Sequence, residues 1–478
     1  MSNGSCEQIE NDFAAAKTAW ERGDSANAEA MLHALHARVP AREDVVRLLC
    51  NVLRNQGRLD AGARLALELC RTSPPNPGVY LRSAEFARQC DRHSVAAQIC
   101  DDALAHGAAS AGLLLLAGHV AREAGNFDMA RERYLQAIDA GVDLERRHVF
   151  GALANTRRFT NPGDPDIRRI ERHFHDSTYS PRSRASAGFG LAKAQDDLGD
   201  YAAAAKALRA ANVMIRAAQG WDANSWHAFV ANRMAEHVAP PTTRASGDFV
   251  PVFIIGVPRT GTTLTATLLA RTASTRDRGE LRTLRFIADQ LVAGRHLGEP
   301  SALAEAASLY RTLAVQDDAP AVHYLDQDPL NFRYLHIAAA MFPQARVIHV
   351  RRDPRDTALS LWCQDFAHPD MAFAYDFADM AAFMEGHDAL MRHWHAFVRI
   401  PIYELDYEKL VTHTEATLAD LRNFIGAPAR EPDHAKGDAP VQSASVWQAR
   451  QPVYKTSVGR WRHYAPYVPE LEKFGDRQ

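Results

Sequence analysis

The sequence predicts an α-helical solenoid followed by an α/β domain with a central parallel sheet. Three observations carry this reading. The N-terminal half repeats every 34 residues, a Pro/Thr break interrupts the chain near residue 240, and beyond it short apolar runs alternate with helical stretches. The expected division is 1–238 for the helical repeats, 239–248 for a linker and 249–478 for the α/β domain.

The repeat is read from its turns. Gly23, Gly57, Asp91 and Gly125 stand 34 residues apart, and a small residue follows each by five: Ala28, Gly62, Ala96, Ala130. Each unit reads as two amphipathic helices, with the turn residue between them and the small residue where the helices cross closely. Pro40 and Pro74 close the first two units. A further copy, Gly199-Asp200-Tyr201 with Ala204, follows a breaker-rich stretch at Thr160–Pro165, so the array is interrupted. Period, turn and small residue resemble tetratricopeptide repeats. Ser25 and His93 stand where such repeats usually pack a large apolar residue. Cys50, Cys70, Cys90 and Cys100 fall on repeat helices and are read as small core hydrophobes.

Composition removes several classes. The chain has 478 residues, 55 Lys+Arg against 58 Asp+Glu, and a net charge of -3, so no global basic field favours nucleic acid or an anionic membrane. Six cysteines without a CxxC pair fit a reducing compartment better than a disulfide framework or a zinc ribbon. The first residues are polar and acidic, with no signal-peptide pattern, and no apolar run reaches the length of a transmembrane span. A cytoplasmic protein is expected. Only seven of the basic residues are lysine, and none lies between Lys206 and Lys409. Chemistry in that stretch must use arginine.

After Ala239–Thr243, the run Phe249–Val257 reads as a strand buried on both faces, with further strands at His323–Gln327, Arg346–Val350 and Ile400–Leu405. Ligands of such sheets bind at the carboxyl ends of the strands, where two motifs fall. Gly256-Val257-Pro258-Arg259-Thr260-Gly261-Thr262-Thr263 leads from the first strand into a helix and forms an anion cradle. The nucleotide-triphosphate loop would carry lysine where Thr262 stands, which demotes an ATPase or kinase. The second motif runs from Arg351-Arg352-Asp353-Pro354 into a helix bearing Ser360. Asp353 suits the N-cap, Pro354 the first helical position, and Arg352 with Ser360 a phosphate monoester.

Together these motifs resemble the sulfotransferases that use 3′-phosphoadenosine 5′-phosphosulfate (PAPS). The closest likeness is to those with tetratricopeptide repeats and, more distantly, to tyrosylprotein sulfotransferases. Four further segments agree: Gly279-Glu280-Leu281, Asp326–Asn331, Leu405–Leu410, and Ser445–Pro452 closing at Ser457–Trp461. The fold expected from the resemblance is a tetratricopeptide-repeat solenoid followed by a P-loop-like sulfotransferase domain. It implies sulfuryl transfer from PAPS to an acceptor hydroxyl, releasing adenosine 3′,5′-bisphosphate.

The resemblance implies the following roles. Arg259 with Thr260, Gly261, Thr262 and Thr263 holds the 5′-phosphate, and Arg352 with Ser360 holds the 3′-phosphate. Tyr407, Gln448 and Arg460 complete the cofactor contacts, and Ser445 faces the bridging or sulfuryl oxygens. Glu280 is the general base, with His323 and His336 as histidine candidates. Related enzymes place a lysine where this chain has Gln327, and losing one preorganised charge donor costs about 3–4 kcal/mol of barrier. Either an arginine such as Arg333 substitutes, or turnover is slow, or the domain binds PAPS without efficient transfer.

No metal is expected: His393 and His395 lie two apart on a helix and face different ways. The acceptor class stays open between carbohydrate, lipid, small molecule and peptide tyrosine, with a protein partner on the repeat array a further option. A P-loop kinase or NTPase, and a non-catalytic repeat scaffold with a degenerate nucleotide domain, are the alternative readings.

Overall fold

The computed structural model describes residues 3–240, 247–272, 274–366, 368–427 and 455–475. Two compact units divide the chain: residues 1–142 with 312–319, and residues 143–311 with 320–478.

The first unit is four helix pairs: Asn3–Glu21 with Ser25–Arg38, Glu43–Asn55 with Leu59–Thr72, Pro77–Gln89 with His93–Ala105, and Ala111–Glu123 with Phe127–Asp139. The 34-residue period has a backbone cause. Gly23, Gly57, Asp91 and Gly125 all take positive φ, between 58° and 83°. Each ends a helix, and the next N–H reaches back to a carbonyl one turn earlier, as in Arg58 N to Leu53 O (2.9 Å) and Arg92 N to Ala87 O (2.9 Å). Aspartate is among the few non-glycine residues that visit this region, which is why Asp91 keeps the period. Ala28, Ala96 and Ala130 are fully buried at the crossings. His93 is buried too, and pairs with the buried carboxylate of Glu123 at 3.2 Å where an apolar side chain was expected. The four repeat cysteines are buried, and burial pushes the Cys50 thiol up to about 12.

The second unit opens with helices Val149–Ala154, Pro165–His175, Pro181–Asp197, Tyr201–Ala218 and Ala223–Ala235. Gly199, at φ 81°, makes the same turn as the earlier glycines. These helices pack on the α/β layers: Trp226 stacks on Phe383 at 4.9 Å, Asn212 donates to the Trp362 carbonyl at 3.0 Å, and Arg182 pairs with Asp365 at 2.7 Å. The compact units divide near Val142, and the helices from 149 to 235 fall in the second of them. A turn motif reports local backbone geometry; it does not report which neighbour receives the apolar face.

The sheet is five-stranded and parallel throughout: β1 Val250–Ile255, β2 Thr275–Asp277, β3 His323–Asp326, β4 Arg346–Arg351 and β5 Ile402–Asp406, in the order β2-β3-β1-β4-β5. Val252, Ile254, Leu325, Ile348, Val350 and Leu405 are at most 1% exposed and form its core. The order steps outward in both directions from β1, which leaves a crevice at its carboxyl end. No helix of the described residues is long and apolar enough to cross a membrane.

Candidate functional site

The loop after β1 is shaped by what its glycines exclude. A Cβ on Gly256 would meet the Val350 carbonyl oxygen at 2.5 Å. One on Gly261 (φ 113°) would meet the Tyr407 ring at 2.5 Å. The helix Thr262–Leu269 then starts without a side-chain cap, so the dipole and amides of its first turn face the loop. Thr262 and Thr263 are buried there, and Thr260 donates to the Val257 carbonyl at 2.8 Å. Arg259 holds φ 77°, a conformation costing a non-glycine residue about 1–3 kcal/mol.

That strain places Arg259 against the second motif. Its Nε donates to Ser360 Oγ at 3.1 Å. Arg352, from the end of β4, donates to the Arg259 carbonyl at 3.0 Å and to the Ser457 carbonyl at 2.7 Å, and its guanidinium lies 4.7 Å over the Tyr407 ring. Tyr407 and Ser457 hydroxyls meet at 2.7 Å. The Nε of Arg352 is buried with no partner among the described residues. The structure thus gathers Arg259, Gly261, Thr262, Thr263, Arg352, Ser360 and Tyr407 at the carboxyl ends of β1, β4 and β5.

Arg460 is fixed by a residue that sequence reasoning missed. Asp196, at the end of Pro181–Asp197, accepts from Arg460 at 2.7 Å and from the Tyr464 hydroxyl at 2.6 Å. Burial pushes the Cys363 thiol up to about 11, while Arg460 and, less strongly, Arg259 act to lower it, so both cations lie near that sulfur. Buried Asp356 accepts from the Gly459 and Trp461 amides at 2.6 and 2.9 Å and anchors the same segment. Ser445 and Gln448 lie outside the described residues.

Glu280 and Gln327 sit on adjoining loops. The Gln327 amide donates to the Gly279 carbonyl at 2.9 Å, and the Leu281 amide to Asp326 Oδ1 at 3.2 Å. Glu280 is exposed, yet surrounded enough for desolvation, then Asp328, to push its carboxyl up to about 7, against Arg282 and Arg259. Asp326 is fully buried, accepts from the Tyr310 hydroxyl at 2.9 Å, and is held well above the carboxylate range by burial and Asp328. Gln327 is 3% exposed; its Nε2 reaches Asp277 Oδ2 at 3.5 Å, and its Oε1 is buried without a partner among the described residues. Neither amide atom of the buried Asn331 has a partner among them.

The other candidates are engaged elsewhere. Arg333 sits among Trp226, Phe229, Phe332 and Phe383, 5.2 to 6.0 Å from each ring, with Asp370 at 3.8 Å. His323 pairs with Val250 at the amino end of the sheet, away from the loop. His336 bonds Glu236 at 2.8 Å and stacks on Trp394.

An uncharacterized protein of Aquifex aeolicus (strain VF5) is 28% identical over 473 residues, covering 90% of this chain and 61% of that protein. The chain thus spans about three-fifths of the length of that relative. Among solved structures, the sulfotransferase domain from the Synechococcus PCC 7002 olefin synthase is 19% identical, covering 51% of this chain and 100% of its own, with a TM-score of 0.36. A tetratricopeptide repeat protein from Parabacteroides merdae ATCC 43184 is 15% identical, covering 46% and 96%, with a TM-score of 0.29. The family model described as "Sulfotransferase family" matches residues 251–431. That segment, which is similar to the sulfotransferase family, contains the loop after β1, Glu280, Gln327, Arg352, Ser360 and Tyr407.

Proposed function

We propose that this chain transfers a sulfuryl group from PAPS to an acceptor hydroxyl. One observation carries the reading: Arg259 joins the phosphate loop to Ser360 and to the Arg352 backbone contact, while its charge also reaches Glu280. A donor with phosphates at both the 5′ and 3′ positions matches two anion-binding elements better than one terminal triphosphate does. The uncapped helix start and the unpartnered Arg352 Nε fit such a group.

The donor supplies the sulfuryl group and leaves as the bisphosphate; the chain supplies position, charge and a proton acceptor. Arg259 with the amides and hydroxyls of Gly261, Thr262 and Thr263 holds the 5′-phosphate and stabilises charge developing on the leaving oxygen. Arg352 and Ser360 hold the 3′-phosphate, with Tyr407 stacked beneath the guanidinium. Glu280 takes the acceptor's proton. A base near 7 is half-deprotonated at neutral pH and well matched to that task. Ser445, Gln448 and Arg460 complete the donor contacts in this reading, and Gln327 offers an amide in place of a cation.

Thermal-shift titration tests the donor class. Adenosine 3′,5′-bisphosphate should stabilise the chain where ADP does not. A preference for Mg-ATP would favour a kinase or NTPase, and no shift with either would favour a scaffold.

A further inference from the structure

We propose that His349 Nδ1, His395 Nε2 and the Glu404 carboxylate bind one divalent transition-metal ion, zinc in the first instance, at a site separate from the phosphate loop. The β4–β5 register pairs His349 directly with Glu404, so both side chains leave the same face of the sheet. The helix Phe377–Phe397 packs there and brings His387 and His395. Glu404 Oε1 lies 2.9 Å from His349 Nδ1 and 2.7 Å from His395 Nε2, and the three donor atoms all lie within 4.8 Å of one another.

Two imidazole nitrogens and one carboxylate form a donor set suited to zinc and its first-row neighbours, with one position left for water. The side chains of His395 and Glu404 are 44% and 38% exposed, which leaves that position open. Tautomers supply the independent argument. With one proton per ring, His349 donates from Nδ1 to Glu404 and His387 donates from Nδ1 to Asp388 at 2.9 Å. Both Nε2 atoms are then bare acceptors, and both are buried without a partner among the described residues, on rings 5.1 Å apart. A metal on His349 Nδ1 moves the ring's proton to Nε2 and converts one of these two bare acceptors into a donor. Metal-bound histidines characteristically donate from their second nitrogen in this way. The ion would tie the edge strand β5 to the helix, just ahead of Tyr407.

The full chain, stripped with a chelator and dialysed, is titrated with Zn²⁺ by calorimetry and with Co²⁺ by visible absorption. One saturable equivalent is expected, at least tenfold weaker in His395→Ala and in Glu404→Gln, and unchanged in His393→Ala. His395 is exposed, so its variant should keep the metal-free melting temperature, which separates lost ligation from lost fold. Absence of saturable binding, or binding equal in wild type and His395→Ala, overturns the proposal.

Discussion

Replacing Glu280 by glutamine removes the proton acceptor and keeps the shape of the loop. A positioned base contributes about 10²- to 10⁴-fold, so transfer should fall about 10³-fold, or roughly 4 kcal/mol of barrier. Because the Glu280 carboxyl is pushed up from 4.5 to about 7, the wild-type rate should rise about tenfold per pH unit below 7 and level off above it. The variant should lose that limb. Stability supplies a second sign. The folded-state value is raised, so the folded chain binds more protons than the unfolded chain between pH 4.5 and 7, and stability falls as pH rises through that window. Since water reaches the side chain, roughly 1 kcal/mol of that penalty should remain at pH 8 and be relieved by glutamine. Rates come from single-turnover transfer across pH 5.5–8.5, stabilities from urea melts at pH 5 and 8, and bisphosphate affinity should change less than threefold. A variant within threefold of the wild-type rate, or one that keeps the acid limb, would refute Glu280 as the base.

Gln327→Lys places a cation beside Asp277 where the amide now reaches it at 3.5 Å, and should raise the transfer rate about ten- to a hundredfold with little change in donor KM; an unchanged or lower rate would mean this position does not face the transferring group. Gly261→Ala drives a Cβ to 2.5 Å from the Tyr407 ring at a φ of 113°, and should weaken bisphosphate binding at least tenfold by calorimetry while far-ultraviolet dichroism is unchanged. Asp356→Asn puts an amide group against one of the Gly459 and Trp461 N–H donors in a buried place, and should cost about 2–3 kcal/mol in urea melts.

How legible each part was depended on whether its cause is local. β1 and its loop announce themselves, because a strand buried on both faces is a continuous apolar run and two glycines are forced by the Val350 carbonyl and the Tyr407 ring. The turns of the 34-residue repeat were legible for the same reason, since positive φ favours glycine and is met there by Gly23, Gly57, Gly125 and, once, Asp91. β2 was missed: Thr275-Arg276-Asp277 is a short edge strand with no apolar pattern, held by pairing to β3. The packing of helices 149–235 was not legible, because they carry ordinary helical patterns whose partner lies more than a hundred residues away. Asp196, Asp326 and Asp356 act through tertiary contacts that spacing does not reveal. Arg333 is the reverse case: the sequence offered it as a replacement cation, and the structure places it in a box of four aromatic rings.

The most direct test of sulfuryl transfer is incubation of the full chain with ³⁵S-labelled PAPS and a cell extract, with separation of the products. The account predicts label on acceptor material that acid hydrolysis releases as sulfate, with adenosine 3′,5′-bisphosphate formed in equal amount, and almost none with Glu280→Gln. Label no greater than with heat-killed protein, or transfer from γ-³²P-ATP in its place, would contradict it.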